Sequence, residues 1–198
     1  MRHAVILAHP SPTSFDAEAA RRYAATVRGF GHQTDLRDLY VMGFEPRLRA
    51  SELPWSENFA VAADVAPERD IVGRADVVVF VYPLWFNAPP AMLKGYAERV
   101  FGMGFAYEPG EGGTRPLLSG KSLVSVSTSG APERWIDQTA AVAHLRRDFD
   151  EHFAAVCGLA VLEHLNLGGV TPSIRPDAAE AMFAEVEAMA RRLFAPAG

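Results

Sequence analysis

The chain has 198 residues, 49% apolar and 22% charged, which is typical of a globular protein and excludes disordered or fibrous classes. Its net charge of −5, with no long basic run, argues against a nucleic-acid-binding surface. We expect one domain over residues 1–198, cytoplasmic and without membrane insertion, because no apolar run reaches the length of a membrane span or a signal peptide. The single cysteine, Cys157, excludes an intrachain disulfide.

Apolar runs of strand length alternate with segments of helical period along the chain. Residues 3–8 predict a first buried strand, and the apolar positions repeated every four residues from Phe15 to Val27 predict the helix that follows. A weaker strand is predicted at 33–39. Residues 40–66 have no clean period, so we interpret them as an excursion with one short helix at most.

The strongest strand prediction covers residues 76–82, which are β-branched almost throughout. A strand this apolar has no wet face and suits a parallel sheet covered on both sides. Beyond it the pattern predicts, in order, a helix around 92–100, a long glycine-rich loop over 101–120, a strand at 122–128, a helix around 145–156, a strand at 160–167 and a helix around 182–193.

Five strands that alternate with helices predict a doubly wound α/β domain of three layers. In such a sheet the ligand binds outside the carboxyl ends of the strands, where the winding reverses. This rule selects three strand-to-helix turns as candidate sites, at residues 9–15, 83–90 and 127–135.

The first turn runs from His9 to Phe15 and places Ser11, Thr13 and Ser14 where a helix begins. It has neither the glycine fingerprint of a dinucleotide site nor a Walker lysine. Free helix amides and hydroxyl groups favour a phosphate at such a place. The same residues are also explained if Thr13 or Ser14 only caps the helix, so both interpretations remain open.

The second turn carries Leu84, Trp85 and Phe86 in succession at the carboxyl end of the strongest strand. Surface loops seldom expose such a patch without a function, and a flat ring could lie against it. The alternative is that these side chains belong to the core or to a dimer contact.

The third turn, Ser127 to Gly130, is small and rich in hydroxyl groups. Small residues allow backbone amides to approach a ligand, and hydroxyl groups can bind a polar ring edge. Taken alone, this pattern also fits a plain turn.

Other candidate sites are weaker. His144 and His152 lie eight residues apart on a predicted helix without tight ligand spacing, so we expect no metal site. Neither Ser14 nor Ser129 lies in the Gly-x-Ser-x-Gly pattern of a hydrolase nucleophile.

The three turns, in this order, resemble those of the flavodoxin-fold NAD(P)H:quinone oxidoreductases, the DT-diaphorase and modulator of drug activity B group. The resemblance extends over roughly residues 3–172 and is most specific from Tyr82 to Tyr107. It implies a flavodoxin-like fold with a five-stranded parallel sheet of order 2-1-3-4-5. It also implies a homodimer that binds FAD, or alternatively FMN, and reduces a quinone-like acceptor with NAD(P)H in a two-electron, ping-pong reaction.

The resemblance also implies roles for individual residues. The first turn would contact the phosphate and ribityl side of the flavin, the second would line the isoalloxazine, and the third would bind its polar edge. The implied cofactor-binding residues are His9, Thr13, Ser14, Phe15 and Asp16 in the first turn, Pro83, Leu84, Trp85 and Phe86 in the second, and Ser127, Thr128, Ser129 and Gly130 in the third.

The implied catalytic residues are Tyr107, Trp135 and His144. Tyr107 matches a tyrosine that reaches a substrate pocket shared between two subunits. Relay-type members carry a tyrosine and a histidine soon after the third turn; Trp135 falls near the first of these positions, and His144 lies several residues past the second. Asp16 stands where the family often has asparagine, and Ser129 replaces a glycine.

Two other classes would use the same fold. One is a flavodoxin-type carrier that passes single electrons between proteins; a carrier more often has a strongly acidic docking face. The other is a regulatory flavoprotein subunit of a membrane transporter, which some relatives of this family are.

Overall fold

A five-stranded parallel sheet forms the centre of the computed structural model, which describes residues 1–196. The strands are β1 (Arg2–Leu7), β2 (Gln33–Asp38), β3 (Val77–Pro83), β4 (Tyr107–Gly110), β5 (Gly113–Pro116), β6 (Ser122–Thr128) and β7 (Ala160–Leu167). The main sheet has the order β2-β1-β3-β6-β7, while β4 and β5 form a separate antiparallel hairpin. The order of the five parallel strands confirms the predicted fold class.

Helices cover both faces of the main sheet. They are α1 (Phe15–Gly29), α2 (Ala66–Arg74), α3 (Ala91–Val100), α4 (Glu133–Thr139), α5 (Ala141–Leu145), α6 (His152–Cys157) and α7 (Pro176–Phe194), with a 3₁₀ turn at Ala50–Glu52 and a π-helical segment at Arg146–Glu151 between α5 and α6. Helices α1 and α7 pack on one face, and α2, α3 and α6 pack on the other. No helix within residues 1–196 is both long and apolar enough to cross a membrane.

Strand β3 is buried along its whole length because it contributes to both halves of the core. Val79 and Val81 pack with α1 and α7, while Phe80 and Tyr82 pack with the helices on the opposite face. This two-sided burial is the physical reason for the unbroken apolar run in the sequence.

Three stretches differ from the sequence predictions. The predicted loop over 101–120 contains the hairpin β4–β5, whose four-residue strands are too short and too polar to give an alternating pattern. Helix α2 begins where the patternless excursion was expected to end, and its nine residues include four charged ones. The helix predicted around 145–156 is also longer and interrupted, because Ala140 adopts a left-handed conformation with φ 52°.

The excursion between β2 and α2 is tied to α3 by Arg99. Its side chain is fully buried and pairs with Asp64 at 2.7 Å and Glu52 at 3.0 Å, and it lies 5.1 Å from the ring centre of Phe44. One turn earlier, a Cβ atom at Gly95 would lie 2.1 Å from the carbonyl oxygen of Pro46. The excursion therefore depends on a glycine for close approach and on a buried arginine for its polar contacts.

The amino-terminal edge of the sheet carries a buried histidine. His3 Nδ1 lies 2.9 Å from the Tyr23 hydroxyl, and His3 Nε2 lies 2.9 Å from His32 Nδ1. Burial, and secondarily the neighbouring His32, lowers the pKa of His3 from 6.5 to about 4.

We predict that His3 makes the protein less stable in mild acid. The unfolded chain takes up a proton near pH 6.5 and the folded chain only near pH 4, so stability falls between these values as the pH is lowered. Urea unfolding of wild type should show a loss of about 1–2 kcal/mol between pH 7 and pH 5 that His3→Gln does not show. The exposed residue His152, changed to Gln, is the control. Equal pH slopes for wild type and His3→Gln would contradict the prediction.

Candidate functional site

A cavity of about 540 Å³ opens at the carboxyl ends of β1, β3 and β6. Its size is within the usual range for sites of small molecules and cofactors. Residues from all three predicted turns line it. The predicted cofactor-binding residues found in its lining are His9, Thr13, Ser14, Phe15, Asp16, Pro83, Leu84, Trp85, Thr128, Ser129 and Gly130.

The first turn both caps helix α1 and faces the cavity. Ser14 is the N-cap residue, and its Oγ accepts a hydrogen bond from Ala17 N at 3.1 Å. The capping interpretation is therefore correct for Ser14. The hydroxyl groups of Ser11 and Thr13 lie 3.2 Å apart at the cavity wall. Together with the first-turn amides of α1, they form a donor-rich end suited to an anion.

His9 adds a further donor to this end of the cavity. Its Nδ1 accepts a hydrogen bond from Ser11 N at 3.0 Å, so the proton of a neutral ring lies on Nε2. The carbonyl oxygen of Ser11 lies 3.3 Å from the same Nδ1 and could accept a hydrogen bond only if Nδ1 carried the proton instead. With Nδ1 accepting from Ser11 N, the Nε2–H group is available to donate to a ligand.

Asp16 links the first turn to the third. Its buried carboxyl group accepts a hydrogen bond from Thr128 Oγ1, with distances of 3.0 and 3.1 Å to its two oxygens. Burial raises the pKa of Asp16, and the Thr128 hydrogen bond and His9 only partly oppose this. The raised pKa favours the uncharged form of this carboxyl group relative to that of an exposed aspartate.

The second turn presents an aromatic side chain on a strained backbone. Trp85 is 43% exposed and lines the cavity, and its backbone exchanges two hydrogen bonds of 3.1 Å with Ala88. Between them, Phe86 and Asn87 have φ values of 53° and 57°, in the left-handed region that bulky side chains rarely adopt. Phe86 is fully exposed and lies outside the cavity lining, unlike the position that the resemblance implied.

The third turn contributes Thr128, Ser129 and Gly130, but Ser127 lies behind it. Successive residues of a strand face opposite sides of the sheet, so Ser127 and Thr128 diverge. The Ser127 Oγ is buried, 2.7 Å from His164 Nε2 and 2.9 Å from Asn166 Oδ1. The prediction that the Ser127 hydroxyl meets a ligand is therefore wrong for this structure.

The three catalytic candidates lie outside this cavity. Tyr107 lines a separate cavity of about 330 Å³ with Phe101 and Phe149, and His144 lines another of about 360 Å³ with Asn87. Trp135 is 51% exposed and lines none of these three cavities. Within one chain, the structure does not bring Trp135 and His144, which fall near the relay positions, into the lining of this cavity.

Sequence reasoning missed the fourth side of the cavity. Val170, Thr171 and Pro172 line it from the segment after β7. This segment is held to the third turn by hydrogen bonds from Val170 N to Ser129 O at 2.9 Å and from Gly169 N to Ala131 O at 2.8 Å. The signal was available, since the same rule about carboxyl ends of strands applies to the fifth parallel strand.

The site provides an anion-binding helix start at one end and an exposed indole at the other. No group of three or more histidine, cysteine, aspartate or glutamate residues in the described part of the chain could hold a metal ion. The fold and the place of this cavity, where the winding of the sheet reverses, are those of a doubly wound α/β protein with a ligand site at the carboxyl ends of its strands.

The chain belongs to the flavodoxin-like fold family, whose model matches residues 1–193. It is 39% identical over 132 residues to an uncharacterized NAD(P)H oxidoreductase of Haemophilus influenzae, covering 66% of this chain and 65% of the relative. It is 31% identical over 149 residues to human ribosyldihydronicotinamide dehydrogenase [quinone], covering 66% of this chain and 64% of the relative. The chain thus spans slightly less than two thirds of the length of these relatives.

Solved structures show the same architecture. The NAD(P)H:quinone oxidoreductase from Methanothermobacter marburgensis superposes with a TM-score of 0.86 at 26% identity, covering 100% of this chain and 99% of that one. An FMN-dependent NADH-azoreductase from Bacillus anthracis, in complex with FMN, has a TM-score of 0.74 at 18% identity, covering 98% of this chain and 99% of that one. At that identity, the second likeness concerns the fold alone.

We predict that Asp16→Asn stabilises the protein at neutral and alkaline pH. The pKa of Asp16 is higher in the folded chain than in the unfolded chain. The aspartate therefore lowers the free energy of unfolding as the pH rises from the unfolded pKa through the folded one. Asparagine retains an acceptor for the Thr128 hydroxyl and removes the buried charge. Urea unfolding should show the variant to be more stable than wild type at pH 8, with the gain shrinking toward pH 4. The exposed Asp148, changed to Asn, serves as the control, and a gain independent of pH would contradict this explanation.

Proposed function

We propose that the protein is a flavin-dependent NAD(P)H oxidoreductase that reduces quinones or related acceptors by two electrons. The observation that carries the proposal is the single cavity in which an anion-binding helix start, an exposed indole and a small hydroxyl-rich turn meet. The relatives that match 66% of the chain are named as oxidoreductases of this kind, which supports the same activity.

The residues present fit a flavin. The donors on His9, Ser11 and Thr13 suit its phosphate, and the face of Trp85 suits its ring. The polar edge of the ring needs hydrogen-bond donors at the third turn. The amide of Ser129 already donates a hydrogen bond to Leu167 O at 3.0 Å. The amide of Gly130 has no backbone acceptor among the described residues.

Gly130 is therefore our candidate donor to the ring edge. We had expected the hydroxyl groups of Ser127 and Thr128 to contribute, but these donate to Asn166 and Asp16. The remaining amide can stabilise negative charge that develops on the ring edge, without reorganisation during the reaction.

The flavin itself supplies the capacity to accept and pass on a hydride. Around it, Trp85 would cover one face of the ring and exclude water, while His9 Nε2–H would hold the phosphate. Thr128 would hold the Asp16 carboxyl group in place by donating its single hydroxyl proton to it.

We propose FAD as the natural cofactor, with FMN as the alternative. The turn from His9 to Phe15 lacks the compact glycine-and-hydroxyl phosphate loop of FMN flavodoxins. A cytoplasmic location is proposed as well, since the one cysteine is buried and unpaired by a disulfide.

The function is tested by releasing the cofactor from purified protein, identifying it by mass, and assaying NADH and NADPH with a quinone. We expect a yellow protein that releases FAD and reduces the quinone with one or both nicotinamides. A protein that stays colourless when mixed with either flavin would overturn the proposal, and release of FMN alone would overturn the choice of FAD.

We predict that Trp85→Ala weakens flavin binding by about 1–3 kcal/mol, the usual loss when an aromatic stacking partner is removed. Folding should change little, because the side chain is 43% exposed. Trp55→Ala is a matched control, since that tryptophan is 76% exposed and lies in the excursion, outside the cavity lining. If the apoprotein instead loses about 3–5 kcal/mol of stability while flavin affinity is unchanged, Trp85 is a core residue.

We also propose a homodimer in which Tyr107 completes the partner subunit's site. Tyr107 begins the hairpin β4–β5 and lines a cavity separate from the one that contains Trp85.

Mixed dimers test this arrangement. When Trp85→Ala and Tyr107→Ala subunits are combined, one of the two sites in each mixed dimer regains both residues if Tyr107 acts across the interface. Mixing should therefore restore activity to about half the wild-type value per mixed dimer. The proposal would be contradicted if mixing restored no activity. It would also be contradicted if light scattering showed the fully active wild-type protein to be a monomer.

A further inference from the structure

A chain of buried polar side chains lies directly behind the third turn. Asp150 Oδ2 is 2.5 Å from His164 Nδ1, and His164 Nε2 is 2.7 Å from Ser127 Oγ. Ser125 Oγ donates to the other carboxyl oxygen of Asp150 at 2.9 Å. The side chains of Asp150 and His164 are completely buried, although the two residues are separated by 13 others along the chain.

The hydrogen-bond geometry indicates how many protons are shared among the side chains of Ser127, His164 and Asp150. Ser127 has one hydroxyl proton and donates it to Asn166 Oδ1 at 2.9 Å, so it must accept from His164 Nε2. His164 Nε2 then carries a proton, and a second proton is required between His164 Nδ1 and Asp150. The pair is therefore neutral overall, as an ion pair or as two uncharged groups, which avoids a net charge in a dry interior.

The position of the pair connects it to the cavity. Tyr82, Ser127 and Asn166 lie side by side on β3, β6 and β7, and the next residues of β3 and β6, Pro83 and Thr128, line the cavity. Asp150 belongs to the π-helical segment, and such segments are frequent at functional sites.

Stability alone does not explain the arrangement. The hydroxyl of Tyr82 is buried beside the pair and has no hydrogen-bond partner in the described part of the chain. Ser125, which donates its own proton to Asp150, is close to this hydroxyl and keeps lone pairs that could accept from it. A buried hydroxyl without a hydrogen bond of normal geometry costs free energy, so apolar side chains would fill this space at a lower cost.

We propose that Asp150 and His164 are positioning residues for the cofactor: as a buried, proton-holding pair they fix the Ser127 hydroxyl and, through it, the turn from Thr128 to Gly130 on which the polar edge of the ring rests. The inference rests on the proposed flavin site. The pair touches no ligand itself and acts through the strand end.

The test uses flavin affinity per folded molecule and the midpoint potential of the bound flavin. His164→Gln removes the imidazole partner of Asp150 and with it the group that fixes the Ser127 hydroxyl. It should weaken flavin binding about tenfold, the lower end of the loss seen when the outer-shell partner of a metal ligand is removed. The variant should also bind the more negatively charged reduced flavin about ten times more weakly than it binds the oxidised flavin, relative to wild type. Such a change lowers the two-electron midpoint potential of the bound flavin by about 30 mV.

Further variants separate positioning from a purely structural role. The double variant Asp150→Asn with His164→Gln has no ionisable group and should recover the wild-type potential. Tyr82→Phe removes a neighbouring hydroxyl that has no hydrogen bond of normal geometry within the described residues, and it leaves the pair and Ser127 in place, so it should alter neither affinity nor potential. Ser127→Ala keeps the pair but cuts its link to the turn, and it should weaken flavin binding although Ser127 lies outside the cavity lining.

The outcomes are distinct. If His164→Gln is less stable but retains wild-type affinity and potential, the pair is structural and the inference is overturned. If His164→Gln does not fold, the Ser127→Ala variant provides the test instead. Wild-type flavin affinity in Ser127→Ala would then overturn the inference. Wild-type protein that binds no flavin overturns the proposed function and this inference together, whereas wild-type binding with unaffected variants overturns only the inference.

Discussion

Thr128 joins the three turns that surround the cavity. Its hydroxyl donates to Asp16 at the start of α1, and its carbonyl oxygen accepts from Leu84 N at 2.7 Å. Both groups belong to the last residue of β6, whose position is fixed by the parallel register with β3. The anion-binding end and the aromatic end of the cavity are therefore held at a set distance by one residue at a buried strand end.

Buried polar groups lie at several levels of the sheet. His3 and His32 lie at the amino-terminal edge, where their contacts bear on folding. Asp150 and His164 meet Ser125 near the middle of β6, and Asp16 lies at the carboxyl edge. Asp16 lines the cavity and is therefore close enough to influence a bound ligand directly, whereas His3 and His32 are not.

Much of the fold could be predicted from local sequence because three of its strands, β1, β3 and β6, are mostly apolar runs that are buried almost throughout. The strands at 122–128 and 160–167 have the predicted bounds, and the cavity lining matches most of the cofactor-binding residues implied by the resemblance. The short hairpin β4–β5 could not be predicted, since its stability depends on packing rather than on an alternating pattern. The direction of Ser127 depends on which face of β6 each residue occupies, and its partner His164 lies 37 residues further along the chain. Such long-range pairing leaves no trace in local composition.

The π-helical segment from Arg146 to Glu151 has a consequence for how the chain specifies Asp150. In an α-helix each residue advances the direction of its side chain by about 100°. A π turn contains an extra residue, so it shifts the phase of everything before it relative to everything after it. Leu145 and Cys157 are both buried on either side of this shift. The direction of the Asp150 carboxyl group is therefore set by the number of residues in the segment as much as by their identity. In a segment one residue shorter, the same aspartate would point in a different direction and would no longer face His164.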